Sequence, residues 1–299
     1  MKVLVTGATG LIGSALVPAL EKQGHEVASL TRSEARRPGE FRWDPDRGYV
    51  DPAALEAIDA VVHLAGEGVA GRWTSEKKRR ILDSRVNGTR LVSEAVAALE
   101  PRPRVMVCAS GIGVYGNRGD EPVTEESPES DEGFLTHVVR AWEAAAQPAR
   151  DAGIRVVHTR FGIVQSPRGG ALKVQLPLFK LGLGGPVGGG RQYVSWVSID
   201  DVVGAIVFAL THDDMSGVVN VTAPEPVTQG EYARTLGRVL RRPAVLPAPG
   251  FALRLLLGEF ASEVLNGQRV LPRRLSDSGY AFRHPKLEPA LRQLLDRDG

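Results

Sequence analysis

The stretch KVLVTGATGLIGSALVPALEKQGHEVASLTR, from Lys2 to Arg32, decides the fold. Residues 2–5 form a β-branched and leucine-rich run that is typical of a buried parallel strand. Three glycines follow in the spacing G-x-x-G-x-x-G, residues 14–22 have helical periodicity, and residues 27–30 form a second apolar run. This order predicts an α/β protein with a Rossmann-type, doubly wound parallel sheet.

The glycine turn predicts a dinucleotide-binding site. A helix that starts directly after a strand presents free N–H groups and its positive dipole end to a pyrophosphate, and side chains in the turn would block that approach. A glycine-rich turn without a ligand is the alternative, but the position between a strand and a helix favours a dinucleotide. The residues expected to contact the cofactor here are Gly7, Thr9, Gly10, Leu11, Ile12 and Gly13.

The end of the second strand favours NADP(H) over NAD(H). NAD-binding proteins usually carry an acidic residue there, which bonds the ribose hydroxyls. Here the strand ends in Thr31 and Arg32, and no acid occurs before Glu34. An arginine at this place suits a 2′-phosphate, through charged hydrogen bonds and stacking on adenine. The alternative is that Arg32 is only a solvated strand end.

The next predicted strand, DAVVHLAG (59–66), lies at the adenosine side of the same site. Leu64, Ala65 and Gly66 end the strand with little bulk, which leaves space for the cofactor to cross the strand ends. Glu67 follows directly and places a carboxylate at the mouth of the crevice, as a ribose contact or as a catalytic group. His63 lies in an apolar run and is expected to be a core residue.

Four motifs, TGATGLIG, HLAG, ASGIGVYG and TRFGIV, together resemble the extended short-chain dehydrogenase/reductase (NAD-dependent epimerase/dehydratase) superfamily. AGEGVAGRWT, FRWDP and GEFASEVLNGQRVLPRRL are similar to one atypical, epimerase-like branch. Its members are labelled nucleoside-diphosphate-sugar epimerases and have a C-terminal domain without assigned function. The resemblance implies NADP(H), a smaller C-terminal lobe, and a cofactor contact for Arg85, which replaces the family's usual asparagine. An ion pair of Arg85 with Asp83 or Glu94 is the alternative.

The resemblance also implies a catalyst that this chain lacks. Extended members use a Ser or Thr together with a Tyr and a Lys four residues later, whose charge lowers the pKa of the phenol. In this sequence Gly111 takes the hydroxyl position, Leu135 the tyrosine position and Val139 the lysine position. The remaining candidates for catalysis are Tyr115, Ser110 and Glu67, and a packing role is the alternative for Tyr115.

We expect two domains. Residues 1–165 and 191–222 would form the NADP(H)-binding domain, and residues 166–190 and 223–299 a smaller, mixed C-terminal lobe on the substrate side. GLGGPVGGGRQ (182–192) is expected to be a flexible substrate-side loop, and the acidic segment 120–133 a mobile loop that acts as a lid. The pair Asp200-Asp201 is expected to open a helix, and no metal site is predicted.

Composition limits the classes of partner. The 299 residues carry a net charge of +2 with dispersed basic residues, which argues against nucleic acid, and the EKKRR run (76–80) is expected to be a solvated face. One cysteine, no signal peptide and no long apolar segment predict a cytoplasmic protein without a membrane partner. FALRLLLGEFASEVL (251–265) predicts a lobe core or a homodimer surface.

Two functions from different classes follow from these features. The first is an NADP(H)-binding oxidoreductase or sugar-nucleotide-epimerase-like enzyme with displaced catalytic groups, which acts on a small polar carbonyl or hydroxyl compound. The second is a non-catalytic NADP(H)-binding sensor or binding module. The separate substrate-side lobe favours the enzyme, and the missing catalyst favours the sensor.

Overall fold

The computed structural model of the chain describes residues 1–296. The strands, in chain order, are β1 (Lys2–Thr6), β2 (Glu26–Thr31), β3 (Glu40–Asp44), β4 (Tyr49–Val50), β5 (Ala60–His63), β6 (Val105–Gly111), β7 (Pro122–Val123), β8 (Arg155–Phe161), β9 (Ile163–Gln165), β10 (Tyr193–Val194), β11 (Trp196–Ser198), β12 (Gly217–Val221), β13 (Val227–Thr228) and β14 (Arg269–Val270). The helices are α1 (Gly13–Lys22), α2 (Ser75–Ala97), α3 (Phe134–Ala144), α4 (Gln147–Asp151), α5 (Gly170–Lys180), α6 (Ile199–Thr211), α7 (Gln229–Leu240), α8 (Gly250–Leu257), α9 (Ala261–Leu265), α10 (Arg273–Asp277) and α11 (Leu287–Leu294).

Eight strands form one sheet in the order β12-β8-β6-β5-β1-β2-β3-β4. All neighbouring pairs are parallel except β3 and β4, which are antiparallel. The chain starts in β1, builds the sheet outward through β2, and then returns to the other side of β1 with β5. This confirms the predicted Rossmann-type fold and puts the switch point, where ligands bind in such sheets, at the carboxyl ends of β1 and β5.

The core lies on both faces of the sheet, and a layer of helices covers each face. Alternation along β1 directs Val3 and Val5 to the side of α1 and α6, where Leu16 and Ile206 are fully buried. Leu4 points to the opposite side and packs with residues of α2 and α4. Because both faces are covered, the central strands are apolar throughout their length, which is the pattern seen in the sequence.

The C-terminal lobe has its own core, built by α5, α7 and α11 around the fully buried Trp196. Two of the expected domain limits need correction. β10 pairs with β13, and Trp196 packs into the lobe core, so residues 193–196 lie on the lobe side of the limit placed at 191. Conversely, Tyr280 and Phe282 pack against the α1–α6 layer of the large domain, because the chain crosses back over α6.

Two segments that the sequence predicts to be mobile are held by defined contacts. In the acidic segment, β7 pairs with β14, and Glu125 Oε1 accepts a hydrogen bond of 2.9 Å from the N–H of Asn220. In the glycine-rich loop, Val187 donates its N–H to Gln229 Oε1 at 2.7 Å and Gly188 donates to the carbonyl of Ala248 at 2.9 Å. Both segments are therefore held to distant elements, which the sequence did not predict.

No helix within residues 1–296 is long and apolar enough to cross a membrane.

Candidate cofactor site and crevice

The turn between β1 and α1 requires glycine at two of the predicted positions. Gly7 has a φ of +71°, and a Cβ atom there would lie 2.9 Å from the backbone nitrogen of Ala65. A Cβ atom at Gly13 would lie 2.2 Å from the carbonyl oxygen of Gly7. The turn therefore closes on itself and on the end of β5 with no space for a side chain, as a turn that brings backbone close to a pyrophosphate must.

The start of α1 has no side-chain cap. Its N-cap residue Ile12 makes no capping hydrogen bond, and Thr9 and Gly10 before it are exposed. Gly10 donates its N–H to the carbonyl of Gly7 at 2.9 Å, which fixes the shape of the turn. Leu11 leans away from the turn toward the start of α5, where a Cβ atom at Gly169 would lie 2.9 Å from its Cδ1. Ser14 and Ala15 donate their N–H groups to the carbonyls of Gly10 and Ile12. The start of α1, which no side chain caps, stays open to an anion such as a phosphate.

A buried threonine fixes the end of β5 against the end of β1. Thr6 Oγ1 accepts hydrogen bonds from the N–H groups of Leu64 and Ala65, both at 3.1 Å. The same oxygen lies 2.8 Å from Nδ1 of His63, so its proton is free to be donated to that nitrogen. Burial, together with the charge of Arg85, lowers the pKa of His63 to about 4, which keeps the ring neutral. His63 is the core residue that the sequence predicts, and it also orders the adenosine side of the crevice.

Glu67 lies at the mouth of the crevice as a charged carboxylate. Its Oε1 accepts a hydrogen bond of 2.5 Å from Lys77 Nζ. That bond lowers the pKa of Glu67 against the effect of burial, and the charges of Lys77, Arg80 and Arg32 lower it further. The carboxylate therefore stays ionised at neutral pH and is not a proton donor there.

Lys77 is not among the site residues that the sequence predicts. The EKKRR run was expected to be a solvated face, yet Lys77 is on the first turn of α2, which folds back over the end of β5. Lys78 pairs with Glu259 in the C-terminal lobe. The sequence does carry a signal for this contact: Lys77 and Lys78 fall in the first turn of the helix that follows β5.

Arg85 supports the segment after β5 through a hydrogen bond to its backbone. Its Nη1 donates to the carbonyl oxygens of Glu67 at 2.8 Å and Ile81 at 3.1 Å, and its guanidinium carbon lies 4.8 Å from the Trp142 ring centroid. A Cβ atom at Gly66 would lie 3.3 Å from that carbon. Burial lowers the pKa of Arg85 to about 10, which still leaves it charged.

The cofactor contact of Arg85 stays a prediction, whereas the structure contradicts its surface-pair alternative. Within residues 1–296 it forms no ion pair with Asp83 or Glu94, and Asp83 pairs with Arg79 instead. The surface-pair alternative is wrong, because the Arg85 side chain points from α2 toward the end of β5 and not outward. The contact of Arg85 with Glu67 makes it a support for the cofactor-side loop.

Ser110 and Tyr115 belong to a buried polar network. Ser110 Oγ donates to Glu143 Oε1 at 2.5 Å, and Arg160 donates to both carboxylate oxygens of Glu143 at 2.8 Å. Tyr115 is fully buried, donates its hydroxyl to Asn220 Oδ1 at 2.8 Å and accepts from Arg160 Nη1 at 3.1 Å. Burial raises the pKa of Tyr115 against the opposing effect of Arg160.

This network corrects the catalytic interpretation of both residues. A fully buried hydroxyl with two protein partners is not accessible to a substrate, and its raised pKa disfavours a phenolate. Ser110 is also buried, and its proton is committed to Glu143. Glu67 is bonded to Lys77 instead, so the three candidate catalytic residues do not form one constellation.

The usual catalytic positions on α3 are apolar and packed. A Cβ atom at Gly113 would lie 3.1 Å from Leu135 Cβ, and one at Gly111 would lie 4.0 Å from Val139 Cγ2. The two side chains therefore cover the end of β6, where a tyrosine and a lysine were sought. Leu135 and Val139 thus form an apolar wall at the positions where the family carries its tyrosine and lysine.

No part of the described chain has the donors for a metal. Among residues 1–296 there is no group of three or more His, Cys, Asp or Glu side chains that could hold an ion. Asp201 accepts a hydrogen bond of 2.8 Å from Ser198 Oγ and one of 2.9 Å from the N–H of His284. The Asp200-Asp201 pair thus opens α6 and anchors the C-terminal segment to it.

Sequence comparison identifies relatives that match nearly the whole length of the chain. The model of the NAD-dependent epimerase/dehydratase family matches residues 3–222, and a domain of unknown function (DUF1731) matches residues 248–294. The chain is 42% identical to the epimerase family protein Mb2239 of Mycobacterium bovis, over 99% of this chain and 98% of the relative. It is 38% identical to the epimerase family protein YfhF of Bacillus subtilis, over 99% and 98%.

Solved structures give the same result. The fold matches that of the human epimerase family protein SDR39U1 (isoform 2), crystallised with NADPH, with a TM-score of 0.93 and 36% identity over 99% of both chains. It also matches a nucleoside-diphosphate sugar epimerase from Corynebacterium glutamicum, with a TM-score of 0.81 and 35% identity, over 99% of this chain and 58% of that one.

Proposed function

Because this chain belongs to the NAD-dependent epimerase/dehydratase family, we propose that its β1–α1 turn binds NADP(H) and that the protein is an oxidoreductase or epimerase-like enzyme acting on a small polar carbonyl or hydroxyl compound. The observation that carries the proposal is the close approach of Gly13 to Gly7 and of Gly7 to the end of β5. This geometry leaves the start of α1 open to a pyrophosphate. The NADPH in the human relative's crystal structure supports the choice of cofactor.

The charges at the ends of β2 and β5 support NADP(H) over NAD(H). Arg32 is exposed at the end of β2, and its charge acts on the Glu67 carboxylate together with the charges of Lys77 and Arg80. We infer that this cluster of positive charge at the ends of β2 and β5 serves the adenosine ribose, which binds at the end of β2 in this fold. A 2′-phosphate is a dianion that such a cluster stabilises, and arginine offers it a planar pair of donors.

The reaction must proceed without a tyrosine–lysine pair. Bound NADPH would supply a hydride, and the carbonyl oxygen of the substrate would then need a proton. Leu135 and Val139 cannot donate one, and Tyr115 is buried with its hydroxyl bonded to Asn220. Glu67 is ionised and bonded to Lys77. We infer that the proton comes from water, while the apolar wall on α3 shields the hydride-transfer face.

Affinity for the two nucleotides tests the cofactor assignment. Cofactor-stripped protein is titrated with NADPH and with NADH, followed by nucleotide fluorescence, for the wild type, Arg32→Ala and Arg90→Ala. The wild type is expected to bind NADPH at least tenfold tighter, Arg32→Ala to lose this preference, and Arg90→Ala, an exposed arginine on α2, to keep it. Equal affinities in the wild type would exclude NADP(H) selectivity, and failure of both nucleotides to bind would exclude a cofactor function.

A non-catalytic NADP(H) sensor is the second candidate, and the apolar residues at the catalytic positions favour it. NADPH oxidation is followed with panels of aldehydes, ketones and quinones. Turnover by the wild type and by Tyr115→Phe alike is expected for the enzyme proposed here. Tight NADPH binding without turnover of any panel member would support the sensor instead.

A further inference from the structure

The β5–α2 segment, residues 64–74, runs from the end of β5 to the first turn of α2 and borders the cofactor turn. It begins against Gly7, whose Cβ position lies 2.9 Å from the backbone nitrogen of Ala65. In the described part of the chain, none of residues 66–73 takes part in a backbone–backbone hydrogen bond. Gly68 has open space around its Cβ position, so packing does not require a glycine there. A segment of this kind opens easily unless side chains of other elements hold it.

Trp73 anchors this segment to α3 and to the C-terminal lobe. Its Nε1 donates to the carbonyl of Val69, inside the segment, at 2.7 Å, and its side chain is buried. The ring centroid lies 4.9 Å from that of Phe134 on α3 and 5.4 Å from that of Phe260 in the lobe. Aromatic rings at these distances attract each other beyond the burial of their area. The lobe therefore supplies part of the cover under which Trp73 is buried.

Residues 255–260, which connect α8 to α9 and are called the clasp below, also make two polar contacts with the large domain. Lys78, in the first turn of α2, pairs with Glu259. Arg72 Nη1 donates to the carbonyl of Leu255 at 3.3 Å. The side chains of Lys78 and Glu259 are 31% and 50% exposed. Ion pairs with this exposure are weak, so the clasp can be released without unfolding either domain.

The two ends of the β5–α2 segment are fixed independently of the clasp. At the first end, Glu67 donates its N–H to Ser84 Oγ at 2.9 Å and accepts from Arg85 through its carbonyl at 2.8 Å. At the second end, Thr74 caps α2 by accepting a hydrogen bond from the N–H of Lys77. The clasp therefore contacts the middle of the segment, which is the part that has no such attachment to α2.

We propose that the clasp holds the β5–α2 segment closed beside bound NADP(H), and that its release gates the entry and departure of the nucleotide. The identity of the nucleotide rests on the proposed function, whereas the mechanics rest on the contacts of Trp73, Lys78 and Arg72. A gate that is equally closed in the free and the bound protein scales the association and dissociation rates by the same open fraction. Both rates then change while the dissociation constant stays the same. A contact that stabilises only the bound nucleotide changes the dissociation constant instead.

Stopped-flow fluorescence of NADPH tests the gate, with association measured on mixing and dissociation measured by displacement with excess NADP⁺. Lys78→Glu and Glu259→Lys each replace the ion pair by two like charges. We expect both rates to rise about three- to fivefold in each variant, as for the loss of one exposed ion pair. The double variant Lys78→Glu/Glu259→Lys restores an ion pair and should return both rates to those of the wild type.

The two single variants also separate the gate from a long-range charge effect. They change the local charge in opposite directions, so a direct effect on the anionic nucleotide would move their dissociation rates in opposite directions. Arg79→Glu is the matched control, because Arg79 lies next to Lys78 but pairs with Glu76 and Asp83 within α2. It should keep the wild-type rates.

Trypsin cleavage after Arg72 reports the clasp without any nucleotide. Arg72 lies in the middle of the β5–α2 segment, and a protease cleaves a segment there at a rate that follows the population of its open form. Mass spectrometry of the nucleotide-free proteins should show cleavage about three- to fivefold faster in both single variants. Cleavage of the double variant should be as slow as that of the wild type.

Unchanged rates in both single variants would overturn the proposal, and so would dissociation rates that move in opposite directions or a double variant that stays as fast as the single ones. Cleavage after Arg72 at the wild-type rate in every variant would show that the clasp does not hold the segment. A wild type that binds no nucleotide would overturn the proposed function together with the gate. Normal affinity for NADPH with unchanged rates would overturn the gate alone.

Discussion

The two glycines that shape the turn act at the scale of single residues. Gly13→Ala would force a Cβ atom to within 2.2 Å of the Gly7 carbonyl, so the turn must open and lose its phosphate geometry. We expect at least tenfold weaker NADPH binding, measured by fluorescence titration. Gly24→Ala is the control, because Gly24 also has a positive φ, +79°, but nothing lies within 4 Å of its Cβ position. It should lose about 1 kcal/mol of stability and keep its affinity.

A second prediction at this scale concerns pH and His63. Its folded-state pKa of about 4 lies below the ordinary histidine value of 6.5, so below pH 6.5 the unfolded chain binds the proton first. Stability is therefore fully present above pH 6.5 and is lost as the pH falls toward 4, by up to about 3 kcal/mol for this residue. His158, whose pKa burial also lowers to about 4, acts in the same sense.

Denaturant unfolding at pH 7 and pH 5 checks this behaviour. His63→Gln keeps an acceptor near Thr6 but cannot titrate, so its loss of stability between the two pH values should be smaller than in the wild type. An equal loss in both proteins would show that His63 is not the source.

At the scale of elements, the Glu143–Arg160 pair joins α3 to β8, and Tyr115 extends it to Asn220 on β12. Burial raises the pKa of Glu143, but the hydrogen bonds and charge of Arg160 outweigh it and leave the pKa below its usual value. Arg160→Met would strand a buried carboxylate and should cost about 3–5 kcal/mol in denaturant unfolding. Tyr115→Phe leaves the ion pair intact and should cost only about 1–3 kcal/mol, without a change in NADPH affinity. A loss of NADPH affinity in stably folded Tyr115→Phe would contradict this purely structural role of Tyr115.

At the scale of the whole molecule, one surface is apolar and uncovered. None of the residues of α8 is buried, and Phe251, Leu255 and Leu256 are each more than 70% exposed. Further exposed apolar side chains lie on α5, directly after α5, and in the segment before α8. They are Val174, Leu178, Leu181, Leu183, Val245 and Leu246.

We therefore expect the chain to form a homodimer through α8, since several large apolar side chains on one helix rarely stay exposed on a monomer. Sedimentation velocity should give a dimer for the wild type and a monomer for Leu255→Glu/Phe251→Glu. Arg90→Glu, at an exposed position of α2, serves as the control. A wild type that sediments as a monomer at all concentrations would contradict the expectation.

The sequence by itself determined the fold, the cofactor turn and the absence of the usual catalyst. Strand runs, glycine spacing and helix periodicity are local signals, and each of them agrees with the sheet that forms. Only the tertiary structure decided the fate of Tyr115, Ser110 and Arg85, because their partners Asn220, Glu143 and the Glu67 carbonyl are 105, 33 and 18 residues away in the chain. It likewise fixed the acidic segment and the glycine-rich loop, since β14 and α7, which hold them, lie far along the sequence. Local patterns fix local geometry, whereas whether a polar side chain faces a ligand or a buried partner depends on which distant element packs over it.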